Sequence, residues 1–503
     1  MKVMKRKAVV LAIFASLLAA GAAQAGITKV GKVYSGSKPA DKPYQLVHVG
    51  SEVSNGMGNS VYVAFFATRT DDPANDVILD ANGNPELDGT GNPLPGPNTE
   101  EAFTYDITGY PAFLKIPDSA NDASLTQVWA FPACAPYLLP NKTKRQEFIA
   151  AVEDLETNGP LEAEWTAGNW TPFLQALHGM DYSINRGELV GGLTFLGKIL
   201  RWDLNAPGTL ANPSGVCNSN SLSVGEITRS RLIKYSSDRS QVIAALRGQE
   251  ENPSEAILEL RKFAPAAING TSLSTTPITD ATSGHAIYVT PNAVYTAGTD
   301  FRRLTPGNSP SAVQDFVFAP GSAPSQPAAF LNIAVQENSS GDPVRIYALN
   351  SRDWDPADLM TVPATPTPST LVDYQNAFKT AATAFGAGLY VYDVSNYDPI
   401  NEEYVLTRVT TIAAAQPVEL VLDGSRLFFN DRIGQQLVEV DVSLATPAKV
   451  STLATDCLSS NLIKGAGNTL YLSSVWSEQL YSVGGTLSGA ACNAVEKYTY
   501  SVN

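Results

Sequence analysis

Residues 417–442 read PVELVLDGSRLFFNDRIGQQLVEVDV, and residues 460–483 read SNLIKGAGNTLYLSSVWSEQLYSV; a constant shift of 43 residues aligns them. The matched pairs are Gly424 with Gly467, Leu427 with Leu470, Gln436 with Gln479, Leu437 with Leu480, and Val440 with Val483. In each segment, apolar and β-branched runs alternate with turn residues, a pattern that predicts strand, tight turn, strand, short loop, strand. The two segments are therefore copies of one structural unit.

The length of this repeat predicts the fold class. Units of roughly 40 to 45 residues built from short strands are the blades of β-propellers. Strand patterns elsewhere in the chain raise the predicted number of blades to about seven. Six or eight stay open, because the strands between residues 110 and 230 are poorly defined. We expect residues 26–36 to form a strand that closes the ring against the last blade, since closure removes an open sheet edge.

The predicted blades in the middle of the chain follow the order of the strand patterns. One blade is predicted from residues 313–320, 328–336 and 343–350, and the next from residues 386–396 and 404–409. The sequence thus predicts an all-β protein, a single β-propeller domain over residues 26–503 with a polar insertion and a partly helical insertion.

Composition and charge narrow the class of partners. The chain has 38 glycines, 33 prolines, only five methionines and 44% apolar residues, as expected for many short strands joined by turns. Its formal net charge is −15. An acidic surface favours solubility and argues against nucleic acid or anionic lipid as a partner.

Residues 1–25 have the features of a secretory signal peptide. A basic segment with Lys2 and Arg6 precedes an apolar run at 8–21, and Ala23-Gln24-Ala25 forms a cleavage site. A retained anchor is the alternative, but the apolar run is shorter than the ~20 residues that a membrane span needs. Removing four basic residues takes the formal charge from −15 to −19. The expected location is the periplasm or the cell exterior, with no membrane span in the mature chain.

The four cysteines predict two disulfides in an exported chain. Cys457 with Cys492 is the favoured pair, because these residues bracket the last repeat. Cys134 with Cys217 follows by elimination. Closure of the loop between Cys457 and Cys492 would stabilise the fold by roughly 3 to 4 kcal/mol. Metal binding by the cysteines is disfavoured, since none lies in a C-x-x-C pair.

The polar insertion at 71–101 contains a short internal repeat, LDANGNP followed by LDGTGNP. Its oxygen donors are of the type that calcium takes as ligands. The spacing departs from the calcium-loop pattern, because Gly83 comes one place early and the bidentate glutamate is missing. An ordinary loop rich in turn residues explains the same letters. Calcium is the predicted cofactor, if there is one, and its candidate ligands are Asp80, Asn82, Asn84 and Asp88.

The insertion at 134–186 interrupts the strand pattern. Apolar residues at helical spacing predict a helix at 144–156, and 169–182 reads as a second helix or a turn-rich segment. Trp165, Trp170 and His178 lie in this insertion. Aromatic rings beside a titratable group are typical of a binding surface for a sugar or a small molecule. The alternative is that these side chains form a small core of the insertion itself.

A second candidate ligand site follows the strand pattern at 343–350. Asp353 and Asp355 flank Trp354, an arrangement that suits a sugar or a cation. The competing explanation is an ordinary connection between strands, because Asp-Pro is typical of turns. The signatures of α/β-hydrolases, zincins, P-loop enzymes and c-type haem proteins are absent from the sequence.

Strand pairs such as SRLFFND with QQLVEVDV, NTLYLSS with EQLYSV, and GLYVYDVSN resemble the repeats of exported bacterial propellers of the YVTN or quinoprotein-like kind. The resemblance covers residues 230–503 best. The tryptophan docking signature of quinoprotein alcohol dehydrogenases, the WD-repeat dipeptides and the sialidase Asp-box are missing, so no cofactor or substrate site is carried over. We expect a binding or scaffold module for a protein or saccharide ligand at one face of the ring. The alternative is a propeller hydrolase, lyase or dehydrogenase that uses loop carboxylates and calcium.

Overall fold

The structure is a computed structural model of the chain, and the part that it describes consists almost entirely of β-strands. A 3-10 turn at Ala123–Leu125 is a short exception. The described residues are 26–36, 42–50, 58–66, 89, 112–130, 177–183, 187–193, 198–204, 221–223, 229–238, 240–247, 257–263, 281–282, 286–298, 300–304, 313–324, 330–351, 376, 379–380, 382–383, 386–395, 397–456, 458–475 and 493–501. Within these residues, no helix combines the length and the apolar character needed to cross a membrane.

The strands form successive four-stranded antiparallel units, which we call blades 1 to 7. Blade 1 contains β2 (Lys42–Val49), β3 (Ser60–Phe66), β4 (Ala112–Pro117) and β5 (Gln127–Ala130). Blade 2 contains β6 (Leu177–Ser183), β7 (Glu188–Leu193), β8 (Lys198–Asp203) and β9 (Ser221–Ser223). Blade 3 contains β10 (Arg229–Tyr235), β11 (Val242–Arg247), β12 (Ile257–Phe263) and β13 (Ala281–Thr282).

The second half of the chain continues in the same order. Blade 4 contains β14 (Ala286–Val289), β15 (Val294–Ala297), β16 (Phe301–Leu304) and β17 (Val313–Phe318). Blade 5 contains β18 (Phe330–Glu337), β19 (Pro343–Asn350), β20 (Gly388–Val394) and β21 (Glu403–Ala413). Blade 6 contains β22 (Pro417–Asp423), β23 (Arg426–Asp431), β24 (Gln436–Asp441) and β25 (Ala448–Ala454). Blade 7 contains β26 (Ser459–Lys464), β27 (Thr469–Val475), β28 (Asn493–Tyr500) and, as its outer strand, β1 (Ile27–Gly36).

The first strands of the blades form a closed ring. Each of β2, β6, β10, β14, β18 and β22 contacts the first strand of the following blade, and β26 contacts β2. The prediction of an all-β propeller is therefore confirmed, with seven blades in the described part of the chain. The predicted closure is confirmed as well, because β1 pairs with β28 in antiparallel register.

Blades 4 and 5 are joined in one eight-stranded sheet. Their outer strands β17 and β21 run parallel, and Phe316 lies opposite Tyr404. The predicted division of this region was wrong. Residues 313–320, 328–336 and 343–350 do not form one blade, because the boundary between two blades falls between β17 and β18. Connection length does not reveal where one sheet stops. The connection from β19 to β20 within blade 5 spans residues 351–387, whereas the connection from β17 to β18 between blades 4 and 5 spans residues 319–329.

Alternation along each strand explains how neighbouring blades hold together. On β23, Leu427 and Phe429 pack against side chains of blade 5, whereas Phe428 packs against blade 7. All three side chains are fully buried. Successive residues of a strand point to opposite faces, so one apolar run covers two neighbours at once. At ~25 cal/mol per Å² of buried apolar area, the stability of the ring comes from many such contacts.

The repeat at a shift of 43 residues holds for the first turn and the second strand. Gly424 and Gly467 have φ of 58° and 57°, in the left-handed region that glycine adopts without strain. Three residues after each glycine, Leu427 and Leu470 have no exposed surface. The third strand of the second copy, predicted at 479–483, lies outside the described residues. In blade 7, β28 occupies the position that β24 occupies in blade 6.

The helix or turn-rich segment predicted at 169–182 was wrong for its last part. Residues 177–183 form β6, the first strand of blade 2. This strand pairs with β7 over its length, and such sheet pairing overrides the local helical spacing. The rest of the insertion at 134–176 and the insertion at 71–101, except Gly89, lie outside the described residues.

Candidate functional site

The residues singled out from the sequence are mostly beyond the part of the chain that the structure describes. His178 is placed on β6, near its start. The others fall outside: Trp165, Trp170, Asp353, Trp354 and Asp355 for the ligand, Asp80, Asn82, Asn84 and Asp88 for calcium, and Cys134, Cys217, Cys457 and Cys492 for the disulfides. These ligand, metal and disulfide assignments stay predictions. Among the described residues, no group of three or more His, Cys, Asp or Glu side chains lies close enough together to hold a metal ion.

A series of hydrogen bonds between polar side chains connects the first strands of adjacent blades. Asn332 of β18 donates a hydrogen bond from Nδ2 to Oε2 of Glu419 on β22. Glu419 is also hydrogen-bonded to the side chain of Asn461 on β26. The Oδ1 atom of Asn461 in turn accepts a hydrogen bond from the backbone N–H of Leu46 on β2, at 3.0 Å. Four consecutive first strands are thus connected at one level of the channel, and we call Asn332, Glu419 and Asn461 the channel triad.

Irregular strand pairing produces this arrangement. The register between first and second strand shifts before Asn332 and before Asn461, and it shifts across Glu419. A β-bulge leaves a residue unpaired in the ladder and re-aims its side chain. Side chains of the second strands satisfy the backbone N–H groups that the shift releases. Glu419 donates its N–H to Asn430 at 2.9 Å, and Asn461 donates its N–H to Ser473 at 3.1 Å.

Two cations influence the carboxyl group of the triad. Burial raises the pKa of Glu419 to about 7, and Lys234, the hydrogen bond from Asn461 and Arg432 oppose part of that rise. Lys234 lies on β10, the first strand of blade 3, across the ring from blade 6. Arg432 follows β23, and its Nε donates to the carbonyl oxygen of Ser459 at 2.8 Å. A pKa of about 7 places the titration of Glu419 near neutral pH.

A second polar cluster lies at the seam between blades 1 and 7. His48 Nε2 is 2.9 Å from Asp118 Oδ2, and Tyr471 donates its hydroxyl to Asp118 Oδ1 at 3.2 Å. Lys497 Nζ donates to the carbonyl oxygens of Asp118 and Ala120 at 2.6 and 3.0 Å. These bonds join two blades and leave His48 with a hydrogen-bonded partner, as expected of a structural histidine. The cluster serves the closure of the ring.

Sequence reasoning did not single out the channel triad. Glu419 and Asn461 are polar residues in strand patterns that are otherwise apolar. A polar residue in such a strand was the signal in the sequence that could have pointed to the site. The shift of 43 residues hid their equivalence, because it pairs Glu419 with Leu462. Asn430 and Ser473 accept equivalent hydrogen bonds from the backbone of the first strand, and they are 43 residues apart in sequence. The donors, Glu419 and Asn461, are only 42 residues apart.

Seven four-stranded blades around a channel lined by first strands define the chain as a β-propeller. No protein-family model matches it, and no curated protein matches it. Among solved structures, a putative 6-phosphogluconolactonase from Bacteroides fragilis is 15% identical, with a TM-score of 0.34 over 60% of this chain and 74% of its own.

Two further solved structures have a similar degree of likeness. The Swd1 β-propeller domain from Myceliophteria thermophila is 9% identical, with a TM-score of 0.36 over 65% of this chain and 83% of its own. Apo AztD from Citrobacter koseri is 9% identical, with a TM-score of 0.34 over 65% of this chain and 76% of its own. With TM-scores this low, the assignment of the fold rests on the strand order and the closed ring.

Proposed function

We propose that the chain is an exported β-propeller that binds a polar ligand, a saccharide, at the first strands of the ring, where the channel triad lies. The observation that carries the proposal is the hydrogen-bonded connection of Asn332, Glu419 and Asn461 across adjacent first strands. Ligand sites favour concave positions where a few polar groups converge from a rigid scaffold. Amide groups both donate and accept hydrogen bonds, and a carboxyl group accepts them and donates one when it is protonated, which suits the hydroxyl groups of a sugar.

Export to the periplasm or the cell exterior is part of this proposal. It is supported by the signal-peptide pattern of residues 1–25, and the acidic composition supports a partner other than nucleic acid. The insertions at 71–101 and 134–186 are proposed to extend the ligand-binding surface. A segment of another protein is the alternative ligand for this surface. Calcium and the two disulfides are kept as proposals on the sequence patterns alone.

The test is calorimetric titration of the full chain with a panel of monosaccharides and short oligosaccharides. We expect at least one saccharide to bind, and Asn332→Ala to weaken its binding about tenfold, the effect of losing one hydrogen bond of about 1.4 kcal/mol. Glu402→Gln, which removes a carboxylate from an exposed turn, is the control that should bind like the wild type. Saccharide binding that is indifferent to substitution of Asn332 and Glu419 would refute the proposal.

A second candidate function is catalysis at the same place. A carboxyl group with a pKa of about 7 suits a general acid or base at neutral pH, and Glu419 has this property. Under this candidate, the saccharides that bind are also converted as hydrolase or lyase substrates. Product analysis by chromatography, with Glu419→Gln as the inactive variant, separates binding from turnover.

A further inference from the structure

We propose that the ligand of the channel triad is an oligosaccharide, and that its site continues from blades 5 to 7 onto the first strands of blades 1 to 3. The inference rests on the proposed function, because it names the class of saccharide for the same site. The residues proposed for the added part of the site are Tyr44 on β2, His178 on β6 and Arg231 on β10.

Six of the seven first strands that the structure describes contain a β-bulge, with one residue more than the stretch of second strand opposite. On β18, β22 and β26 the bulge lies at the channel triad. On the other three strands the register shifts between Pro43 and Gln45 on β2, between Leu177 and Met180 on β6, and between Ser230 and Leu232 on β10. In contrast, β14 keeps a regular register over its described pairs, Ala286–Val289.

The six bulges lie at the same end of the channel. Each blade has four antiparallel strands, so its fourth strand ends at the side where its first strand began. The next first strand starts from that side again, and the parallel contact of the fourth strands β17 and β21 agrees with this course of the chain. Every bulge falls within the first three residues of its strand. The bulges therefore form an arc around one mouth of the channel, interrupted at blade 4.

Hydrogen bonds between neighbouring first strands connect the two parts of this arc. Asn461 follows the bulge of β26, and it binds the backbone N–H of Leu46, which follows the bulge of β2. Further round the ring, Asp181 of β6 accepts from the backbone N–H of Tyr235 on β10 at 2.7 Å. The level of the channel triad thus continues from blade 7 onto blade 1, and blades 2 and 3 are joined in the same way.

Buried groups build these bulges into the fold. Asn430 has no exposed surface, and its Oδ1 accepts from the N–H of Glu419 while its Nδ2 donates to Ser459 Oγ at 2.8 Å. Ser459 is the paired residue directly before the bulge of β26, so one amide braces the bulges of two strands. On β6 the bulge contains Gly179, whose φ of 78° lies in the left-handed region that glycine adopts without strain. Bulges built in this way are typical of positions next to functional sites.

The residue types at the bulges of blades 1 to 3 suit a sugar chain. Tyrosine and histidine combine a flat ring with a polar atom, so they pack on the apolar face of a sugar and hydrogen-bond its hydroxyl groups. The guanidinium of arginine adds five hydrogen-bond donors. Amide and carboxyl groups of the channel triad lie on other blades of the same arc. A ligand with several sugar units contacts both groups, whereas a single unit contacts one.

The experiment is calorimetry of the full chain with cello-, malto- and chito-oligosaccharides of one to six units. In the series that binds, we expect the tetrasaccharide to bind at least about tenfold more tightly than the monosaccharide, as for one further hydrogen bond. Tyr44→Ala, His178→Ala and Arg231→Met should each lower this ratio of affinities several-fold. Asn332→Ala should weaken the monosaccharide and the tetrasaccharide alike, which leaves the ratio unchanged.

Arg408→Met is the matched control for Arg231→Met. Arg408 is exposed on β21, an outer strand away from the channel, so its substitution should leave the ratio of affinities unchanged. Thermal unfolding of every variant shows whether it is folded. The three test substitutions lie on three different strands, so a folding defect in one of them leaves two independent measurements.

The outcomes separate this inference from the proposed function. Equal affinity for all chain lengths, with binding weakened by Asn332→Ala, overturns the oligosaccharide inference and leaves the proposed function standing. A gain with chain length that the folded variants at residues 44, 178 and 231 do not reduce also overturns it. If the binding of every saccharide ignores Asn332 and Glu419, or if none binds, the proposed function itself fails.

Discussion

Ile27 lies directly opposite Tyr500 in the antiparallel pair of β1 and β28, and both side chains are buried in one apolar cluster at the boundary of blades 6 and 7. Strands from near the two ends of the chain therefore share a sheet. Residues that are far apart in sequence close the ring, and contacts of β1 should contribute to the stability of the whole propeller rather than of one blade.

Val33 on β1 is fully buried and packs with Val61, Leu114 and Val495 between blades 1 and 7. We expect Val33→Ala to lower the free energy of unfolding by about 2 kcal/mol, because a buried cavity forms. Urea denaturation followed by fluorescence measures the loss. Val30→Ala, on the same strand but 37% exposed, is the matched control and should cost under about 0.5 kcal/mol. Equal effects of the two substitutions would contradict a closing role for β1.

Lys29 neutralises a buried carboxylate at the same closure. Its Nζ lies 2.5 Å from Oε1 of Glu496, whose side chain has no exposed surface, and 2.9 Å from Oδ2 of Asp456. Lys29→Met should cost about 2 to 3 kcal/mol, because it leaves a buried charge with less compensation. Lys32→Met removes only the exposed contact with Asp456, so less than about 1 kcal/mol should be lost. Urea midpoints of both variants at pH 7 provide the comparison.

The two leucines of the repeat should respond alike to truncation. Leu427 and Leu470 are both fully buried, one between blades 5 and 6 and the other between blades 6 and 7. We expect Leu427→Ala and Leu470→Ala each to cost about 2 to 5 kcal/mol. Leu444→Ala, at a side chain that is 46% exposed, should be close to neutral. A large difference between the two buried variants in thermal unfolding would argue against equivalent positions.

Glu419 should make stability depend on pH. Burial raises the pKa of Glu419 from its ordinary value of 4.5 to about 7 in the folded chain. The folded state then holds a proton that the unfolded state releases, so its contribution to stability is greatest below pH 4.5 and is lost as the pH rises to 7.

The pH-dependent loss of stability from Glu419 amounts to at most about 3.4 kcal/mol. Glu419→Gln should remove it, which makes the variant more stable than the wild type at pH 8 but not at pH 4.5. Denaturation curves across this pH range measure the difference. Glu402→Gln should keep the pH profile of the wild type, and a Glu419→Gln profile that matches the wild type would show that Glu419 has an ordinary pKa.

The local pattern of the sequence determined the kind of repeating unit, and it predicted about seven copies with six or eight left open. Glycine at 424 and 467 and leucine three residues later predicted equivalent turns and equivalent buried positions, because turn conformation and strand alternation depend on nearby residues. The same reasoning predicted that residues 26–36 close the ring, since a propeller with an open edge would leave backbone groups unpaired.

Only the tertiary structure decided which strands share a blade and which side chains meet at the channel. The parallel contact of β17 with β21 and the meeting of Asn332, Glu419 and Asn461 join residues from different blades. Blade packing around the axis sets such contacts, and no sequence interval encodes them. One extra residue in a bulge or a turn is enough to shift the alignment of two repeats, so that equivalent residues such as Glu419 and Asn461 are no longer paired. For this reason, the sequence of this protein determined its repeating sheets, whereas the closed ring alone created the candidate site.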